Sequence, residues 1–348
     1  MFANTHIKKF SALQNRPLSL ITYNNSCYES EAGESALDTL LRHDINIPYA
    51  CKAGVCHVCV MQCLEGTLPS GAVIGLKDSQ VAHGNFLACQ CIPTESLTVN
   101  DADKRGLFSQ VKVIEKDKLS PDICRIRMRT ATDLYYRAGQ FVNLRMNDKD
   151  IRSYSLASLP TKDDFLELHI KRMQNGVVSN WLFGEVKTGD VLEIQGPFGD
   201  CFYMPHNINA EILMIGTGTG LAPLIGILRD AITSGHRGQI SLYHGERNVE
   251  QLYLVSELRE LVAQHTNIRY FPCASTKNTS QIERIFEGRA SDHAFASNKN
   301  LSDKIIYLCG SAAMVDESRD QAQLNGAKSE NIFADPFVTK DLRLDVRN

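Results

Sequence analysis

The chain has 348 residues, of which 43% are hydrophobic and 22% are charged, and its formal net charge at pH 7 is −3. At roughly 100 to 200 residues per domain, this length predicts two or three domains, and the composition excludes a disordered or fibrous chain. The small negative charge excludes the strongly basic surface that collects nucleic acid.

The cellular location is predicted from the first residues, the apolar runs and the cysteines. MFANTHIKKF carries charges but no apolar h-region, so it does not resemble a secretory signal. The longest uncharged apolar run, residues 212–228, contains four glycines and a proline, which favours a strand, a loop and a helix over a membrane span. We expect a cytoplasmic protein that binds no membrane, and its eleven cysteines then argue against a disulfide framework.

The first predicted domain is a small α+β unit. PLSLITY and SCYESEA predict two strands joined at Asn24-Asn25, and ESALDTLLRHD predicts a helix with an apolar stripe. VMQCLEGTL and SLTVN predict further strands, so we expect a mixed sheet with one helix. The charged segment DADKRG suggests a boundary, which gives a first domain of 1–102 with an N-terminal arm at 1–16.

Two more domains follow in chain order. Short strand-like runs from Phe108 to Met204, interrupted by the helical VVSNWLFGEV, predict an antiparallel β-barrel over 103–205. After that, buried strands alternate with helical stretches, which predicts a doubly wound parallel α/β domain over 206–348, with a C-terminal tail at 338–348.

The most specific signal is the cysteine spacing. Cys51-x4-Cys56-x2-Cys59 is followed after 29 residues by Cys89, and this spacing matches the plant-type [2Fe–2S] pattern. A structural zinc site is the alternative, although zinc usually takes two paired Cys-x2-Cys units. Cys63 and Cys91 are available as ligands in principle, and we predict both to be ordinary buried thiols.

CKAGVCHVC together with LACQCIP resembles the ferredoxin domain at the N-terminus of oxygenase reductases, such as the benzoate dioxygenase and phenol hydroxylase reductases. In that family a proline stands four positions after the fourth ligand, as Pro93 follows Cys89. The resemblance therefore implies a β-grasp ferredoxin fold (α+β) for this domain, with the ligands Cys51, Cys56, Cys59 and Cys89.

RSYSLAS, residues 152–158, resembles the R-x-Y-S motif of the ferredoxin–NADP reductase superfamily. The resemblance implies that Arg152 pairs with the flavin pyrophosphate, Tyr154 stacks on the isoalloxazine and Ser155 lies near N5. IKRMQNGVVSNWL resembles the family's second element, and AGQFVNL and GPFGDCF, around Gly139 and Gly196, match in position and order. FAD is the expected flavin, although FMN variants exist. The implied flavin-binding residues are Arg152, Ser153, Tyr154, Ser155, His169, Lys171, Gly176, Val177, Val178 and Ser179.

IGTGTGLAP follows a buried strand and opens a helix, and it resembles the pyridine-nucleotide loop of the same superfamily. A plain strand-to-helix turn is the alternative for such a loop. YLCGSAAMV resembles the family's C-G-x-x-x-M element, which implies that Cys309 lies near nicotinamide C4. The implied nucleotide-binding residues are Gly216, Thr217, Gly218, Thr219, Gly220, Pro223, Cys309, Gly310 and Met314.

Two further positions bear on the cofactors. Phe337 fits the place of the aromatic that covers the flavin in this family, but eleven residues follow it, so a core phenylalanine is the alternative. In HGERN, Glu246 suits a ribose 2′-hydroxyl and Arg247 suits a 2′-phosphate. We expect NADH, because the reductases that the chain resembles mostly use it.

Together these modules predict an electron-transfer reductase that passes electrons from NADH through FAD and a [2Fe–2S] cluster to a partner protein. Ser155 and Cys309 are the predicted catalytic residues, which position and polarise rather than attack. The expected partner is the terminal oxygenase of a hydroxylase or dioxygenase system, which would contact Lys52, His57 and the arm 1–16. The alternatives are a reductase for a radical deoxysugar dehydratase and, in another class, a redox-sensing or metal-binding module without turnover.

Overall fold

The computed structural model describes residues 19–102, 108–131, 133–204, 207–276 and 284–338. The chain divides into two compact units, Met1–Arg105 and Gly106–Asn348. The predicted arm 1–16, both predicted domain boundaries and all but the first residue of the predicted tail 338–348 lie outside the described residues.

The first unit is a five-stranded mixed sheet with a helix against it. Its strands follow the order β2-β1-β5-β3-β4, in which β1 and β5 are parallel and the other pairs are antiparallel. The predicted turn at Asn24-Asn25 has φ values of 49° and 63°, which suit a tight hairpin between β1 and β2. The elements are β1 (Leu20–Tyr23), β2 (Ser26–Glu29), α1 (Ala36–Arg42), β3 (Val60–Glu65), α2 (Asp78–Ala82), β4 (Asn85–Leu87) and β5 (Leu97–Asp101).

Helix α1 forms where its apolar stripe and its cap predict it. Ser35 is the N-cap, and its side chain accepts a hydrogen bond from the Asp38 backbone N–H at 3.1 Å. Leu37 and Leu40 are fully buried against the sheet. This packing leaves the segment after α1 to form the cysteine loop at one end of the sheet.

The barrel occupies the first part of the second unit. Its strand order is β10-β7-β6-β11-β8-β9, with every pair antiparallel. A bridge between Leu156 and Leu168 joins the two outer strands and closes the sheet. The elements are β6 (Ser109–Lys118), β7 (Ile123–Thr130), β8 (Phe141–Arg145), β9 (Ile151–Ser155), β10 (Leu166–Lys171), α3 (Val177–Gly184) and β11 (Val191–Phe198).

A six-stranded parallel sheet forms the remainder of that unit, in the order β15-β14-β13-β12-β16-β17. The strand order reverses between β12 and β16, and such a switch point opens a crevice at the carboxyl ends of the strands. The elements are β12 (Ile212–Thr217), α4 (Leu221–Thr233), β13 (Ile240–Glu246), α5 (Val255–Gln264), β14 (Ile268–Ala274), β15 (Phe286–Glu287), α6 (Ala290–Ser297), β16 (Ile305–Ser311), α7 (Ala312–Leu324) and β17 (Ile332–Phe337).

The predicted fold class is confirmed: an α+β unit, an antiparallel barrel and a parallel α/β domain follow one another along the chain. In the described part of the chain, the helices are too short or too polar to cross a membrane.

Candidate functional site

The four predicted cysteine ligands lie as two pairs. Backbone N–H groups link Cys51 and Cys56, since each residue donates to the sulfur of the other at 3.4 Å. Cys59 and Cys89 are close enough that the Cys89 thiol raises the pKa of Cys59 and the Cys59 thiol lowers the pKa of Cys89. Cys51 and Cys89 are partly exposed, whereas Cys56 and Cys59 are buried. Three of the four come from the loop after α1, and Cys89 comes from the short turn after β4.

The loop curls so that backbone N–H groups face these sulfurs. Lys52, Gly54 and His57 have φ values of 52°, 78° and 55°, in the left-handed region. The N–H groups of Ala53 and Cys56 donate to Cys51 Sγ at 3.3 and 3.4 Å. Amide donors of this kind stabilise a thiolate and a metal cluster bound to it.

Cys63 and Cys91 lie apart from that arrangement. Cys63 Sγ donates to the Glu65 carbonyl at 3.3 Å, and Cys91 is fully buried in the core of the first unit. The thiol that acts electrostatically on Cys91 is Cys63, not one of the loop cysteines.

This geometry fits a two-iron cluster. Each iron of a [2Fe–2S] centre takes two thiolates, and the structure presents Cys51 with Cys56 and Cys59 with Cys89. Among the described residues, no group of three or more His, Cys, Asp or Glu side chains is arranged around a single metal ion. A mononuclear zinc site, the alternative, would instead take three or four of these thiolates around one ion.

In the barrel, the R-x-Y-S residues lie on β9. The Arg152 guanidinium donates to the Ile151 carbonyl at 2.7 Å, and in the described ranges it forms no ion pair with a carboxylate. Ser153 donates to Asn143 Oδ1 at 2.9 Å, and burial raises the pKa of Tyr154. A half-buried arginine without a protein carboxylate suits an anionic ligand such as a pyrophosphate.

Ser155 makes a contact that no motif revealed. Its hydroxyl donates to Asp335 Oδ2 at 3.0 Å, and Asp335 lies in β17 at the far end of the sequence. The only sequence signal for Asp335 was its place two residues before Phe337, which puts both on one side of a strand. Ser155 is 7% exposed, so this bond is largely shielded from water.

The start of α3 is open to a ligand. Gly176 is its N-cap and supplies no capping side chain, while Ser179 donates back to the Gly176 carbonyl at 3.3 Å. Val177 is exposed and Val178 is buried against the barrel. The free N–H groups of this first turn therefore remain available to an anion.

His169 and Lys171 on β10 have side chains that contact other parts of the protein. His169 is 3% exposed, and its ring nitrogens contact Glu167 Oε1 at 3.1 Å and the Tyr253 hydroxyl at 3.0 Å. Lys171 Nζ donates to both carboxylate oxygens of Glu246 at 3.0 and 2.9 Å. Both residues are predicted to bind a cofactor, and this stays a prediction; in the structure their side chains contact Glu167, Tyr253 and Glu246.

The glycine loop lies at the switch point of the parallel sheet. Gly216 and Thr217 end β12, a short turn covers Gly218–Gly220, and α4 starts at Leu221 without a capping side chain. A Cβ at Gly218 would lie 3.6 Å from Lys171 Nζ. Uncapped N–H groups and a lysine at one place suit a phosphate.

Gly220 must be glycine, because the backbone of β16 passes against it. A Cβ there would collide with the Cys309 carbonyl oxygen and lie 2.6 Å from the Cys309 carbonyl carbon. This close approach sets the glycine loop directly beside the end of β16.

The C-G-x-x-x-M element continues this crevice from β16 into α7. Cys309 is fully buried and lies opposite Asp335 of β17 in the sheet register. Ser311 caps α7 and accepts from the Met314 N–H at 3.4 Å. Phe337 is half-buried at the end of β17, opposite Ser311 in the sheet register.

Three family models match consecutive parts of the chain. They describe a 2Fe-2S iron-sulfur cluster binding domain over residues 21–94, an oxidoreductase FAD-binding domain over 110–203 and an oxidoreductase NAD-binding domain over 214–320. These matches confirm the predicted cofactor classes.

Whole-length relatives share the same organisation. The ferredoxin–NAD(P)⁺ reductase component of the naphthalene 1,2-dioxygenase system of Pseudomonas putida is 30% identical, over 91% of this chain and 98% of the relative. The CDP-6-deoxy-L-threo-D-glycero-4-hexulose-3-dehydrase reductase of Yersinia pestis is 29% identical, over 89% and 95%. The crystal structure of an Amycolatopsis cytochrome P450 reductase is 28% identical with a TM-score of 0.66, over 92% of this chain and 99% of that one.

Proposed function

This chain belongs to the ferredoxin–NAD(P)H reductase superfamily, among the members with an N-terminal [2Fe–2S] domain, and on that premise we propose that it delivers electrons from NADH to the oxygenase component of a hydroxylation system. The protein is a flavin and iron–sulfur oxidoreductase that transfers electrons from NAD(P)H through FAD to the cluster. When bound, the nicotinamide supplies a hydride, the flavin accepts the electron pair and releases single electrons, and the cluster carries one electron at a time.

The main support for the proposal is the contact between the barrel and the nucleotide domain at Asp335. Its carboxylate accepts from Ser155 on β9, and its backbone lies opposite Cys309 of β16 in the sheet register. One residue therefore holds together the serine expected near the flavin and the cysteine expected near the nicotinamide. We propose that Ser155 and Cys309 orient the two rings, which requires neither a general base nor a covalent intermediate.

Other residues hold the cofactors in place. We propose that Arg152 and the first turn of α3 bind the flavin pyrophosphate, and that the start of α4 binds the nucleotide pyrophosphate with Lys171 beside it. At the cysteine loop, Cys51 with Cys56 and Cys59 with Cys89 would each hold one iron. The remaining predicted positions in the glycine loop and in β16 line the same crevice.

NADH is the proposed donor. Glu246 ends β13, where a carboxylate can accept from the ribose 2′-hydroxyl, and its side chain is only 4% exposed. Arg247, which would favour a 2′-phosphate, is exposed. The test is kcat/KM for NADH and for NADPH with ferricyanide as acceptor: a preference for NADPH would reverse this assignment, and Arg247→Ala would then reduce the use of NADPH selectively.

The acceptor is proposed from the relatives and from charge. The naphthalene relative is by name a component of a dioxygenase system. The cluster-bearing unit, residues 1–105, contains eight Lys or Arg and ten Asp or Glu, a net charge of 8 − 10 = −2, and residues 19–102 within it carry 3 − 9 = −6. This acidic part of the unit would steer a basic face of the acceptor toward the cluster.

The Yersinia relative supports a second candidate, a reductase for a deoxysugar dehydratase. The two candidate functions can be distinguished by mixing the purified reductase and NADH with each candidate acceptor in turn. Hydroxylation of an aromatic substrate by an added oxygenase supports the first candidate, and dehydration of a CDP-hexulose supports the second. A protein without flavin absorbance, or without bleaching on addition of NADH, would contradict turnover altogether and favour the non-turnover module.

We also propose a cytoplasmic location, because all eleven cysteines are free thiols. Fractionation of cells and detection of the chain in the soluble cytoplasmic fraction would test it.

A further inference from the structure

Two buried thiols face each other beside the place proposed for the nicotinamide. Cys201 follows β11 in the barrel, Cys309 lies in β16 of the parallel sheet, and their Sγ atoms are 3.7 Å apart. The two residues are 4% and 0% exposed, and both are free thiols. Cys201 lies inside GPFGDCF, but the sequence suggested no role for it.

Backbone contacts hold both Cys201 and Cys309 in position. The Cys309 carbonyl fills the space where a Cβ of Gly220 would lie. The Tyr307 hydroxyl donates to the Phe202 carbonyl at 3.3 Å, which ties the segment that carries Cys201 to β16. The distance between the two sulfurs is therefore set by the packing of barrel against sheet.

Cys309 also lies opposite Asp335 of β17 in the sheet register, so its backbone position is fixed by the neighbouring strand. A thiol has a single hydrogen, and at 3.7 Å either thiol can donate it to the other. Burial and then the contact with Cys201 hold the pKa of Cys309 well above its usual value, so the group stays a thiol.

We propose that Cys201 is a positioning residue for hydride transfer, whose sulfur accepts the S–H of Cys309 and holds that thiol protonated and in one rotamer. This inference rests on the proposed function, because it takes Cys309 to lie beside the nicotinamide. A thiolate there would be a nucleophile toward the oxidised nicotinamide ring. A thiol with its hydrogen directed to Cys201 packs against the ring without reacting.

The test compares Cys201→Ala, which removes the acceptor, with Cys201→Ser, which keeps one. Each of these variants is also combined with Cys309→Ser. The matched control is Cys273→Ala, because Cys273 is fully buried in the same sheet and its thiol donates to the Phe271 carbonyl of its own strand at 3.4 Å. The first readout is the rate at which iodoacetamide labels Cys309 in the folded holoenzyme, followed by mass spectrometry of its peptide. The second is kcat and KM for NADH with ferricyanide.

In Cys201→Ala we expect the labelling rate of Cys309 to rise about fivefold and kcat to fall about fivefold, because a factor of this size corresponds to the loss of one hydrogen bond. The change in KM should be smaller. Cys201→Ser should restore both values, Cys273→Ala should change neither, and Cys201→Ala should have no further effect on kcat in the Cys309→Ser background.

Unchanged labelling in Cys201→Ala, or losses in kcat that add in the double variant, would overturn the proposal. If Cys201→Ala does not fold, Cys201→Val fills the space that Ala leaves empty and also lacks an acceptor. The labelling rate can be measured without turnover. If the unaltered protein fails to oxidise NADH, the proposed function is contradicted, but the labelling rates of the Cys201 variants still test the contact between Cys201 and Cys309.

Discussion

The Ser155 hydroxyl donates a 3.0 Å hydrogen bond to the Asp335 carboxylate, although 180 positions separate the two residues in the sequence. The bond joins the last residue of β9 in the barrel to β17 at the edge of the parallel sheet. It therefore couples the orientation of the flavin-binding strand to that of the nucleotide domain.

The first prediction concerns this bond. Ser155→Ala removes the donor, and we expect flavin reduction by NADH to slow by about 5- to 150-fold, which corresponds to about 1–3 kcal/mol. Stopped-flow bleaching of the flavin absorbance measures it. The exposed Ser234→Ala is the control, and a Ser155→Ala rate equal to that of the unaltered protein would show that the bond has no part in the reaction.

The second prediction separates the cluster ligands from the other thiols. Cys89→Ser should abolish the EPR signal of the reduced cluster while the flavin absorbance remains, because Cys89 pairs with Cys59 at the loop. Cys91→Ser should retain the signal, because Cys91 lies in the core beside Cys63. Loss of the signal in Cys91→Ser but not in Cys89→Ser would reverse the ligand assignment.

The third prediction concerns the close approach at the nucleotide loop. Gly220→Ala would force the loop away from the Cys309 carbonyl, so we expect NAD⁺ affinity to fall at least tenfold and the melting temperature to drop by several degrees. Gly184→Ala is the matched control, because a Cβ there meets nothing within 4 Å. Isothermal titration measures the NAD⁺ affinity and thermal unfolding measures the melting temperature. If Gly220→Ala and Gly184→Ala have the same affinity and melting temperature, the close contact between Gly220 and the Cys309 carbonyl is contradicted.

The fourth prediction is a pH dependence from Glu167. Burial alone would raise its pKa, but hydrogen bonds from His169 and Arg127 outweigh burial and lower the pKa to about 2. A carboxylate with a lowered pKa stabilises the fold above the unfolded value of about 4.5, and this stabilisation is lost as the pH falls toward 2.

Glu167→Gln should therefore be less stable than the unaltered protein at pH 7, by up to about 3 kcal/mol, and the difference should shrink at pH 3. Urea unfolding at both pH values measures it, with the exposed Glu260→Gln as control. A difference that is the same at pH 7 and pH 3 would contradict the lowered pKa.

The fifth prediction uses the net charge of −6 on residues 19–102. With cytochrome c, a basic one-electron acceptor, kcat/KM should fall several-fold between about 20 and 300 mM KCl, since the added salt screens the attraction. Ferricyanide, an anion, should show no such fall. A rate with cytochrome c that does not depend on salt would indicate that the acidic surface does not steer the acceptor.

The sequence by itself determined the features that are local in the chain. The spacing of Cys51, Cys56 and Cys59, the R-x-Y-S strand and the glycine loop each lie within a few residues, where turn geometry and strand period depend on neighbours. The alternation of strands and helices likewise predicted the three folds, and the resemblance of these motifs to the reductase superfamily implied the classes of cofactor.

Only the tertiary structure decided which distant side chains meet. Asp335 reaches Ser155, Cys201 faces Cys309 across 108 positions, and Lys171 pairs with Glu246 across 75. These contacts depend on the strand order of two sheets and on their packing, which no local pattern encodes. For the same reason the sequence did not indicate that the side chains of His169 and Lys171, both predicted to bind a cofactor, contact Tyr253 and Glu246.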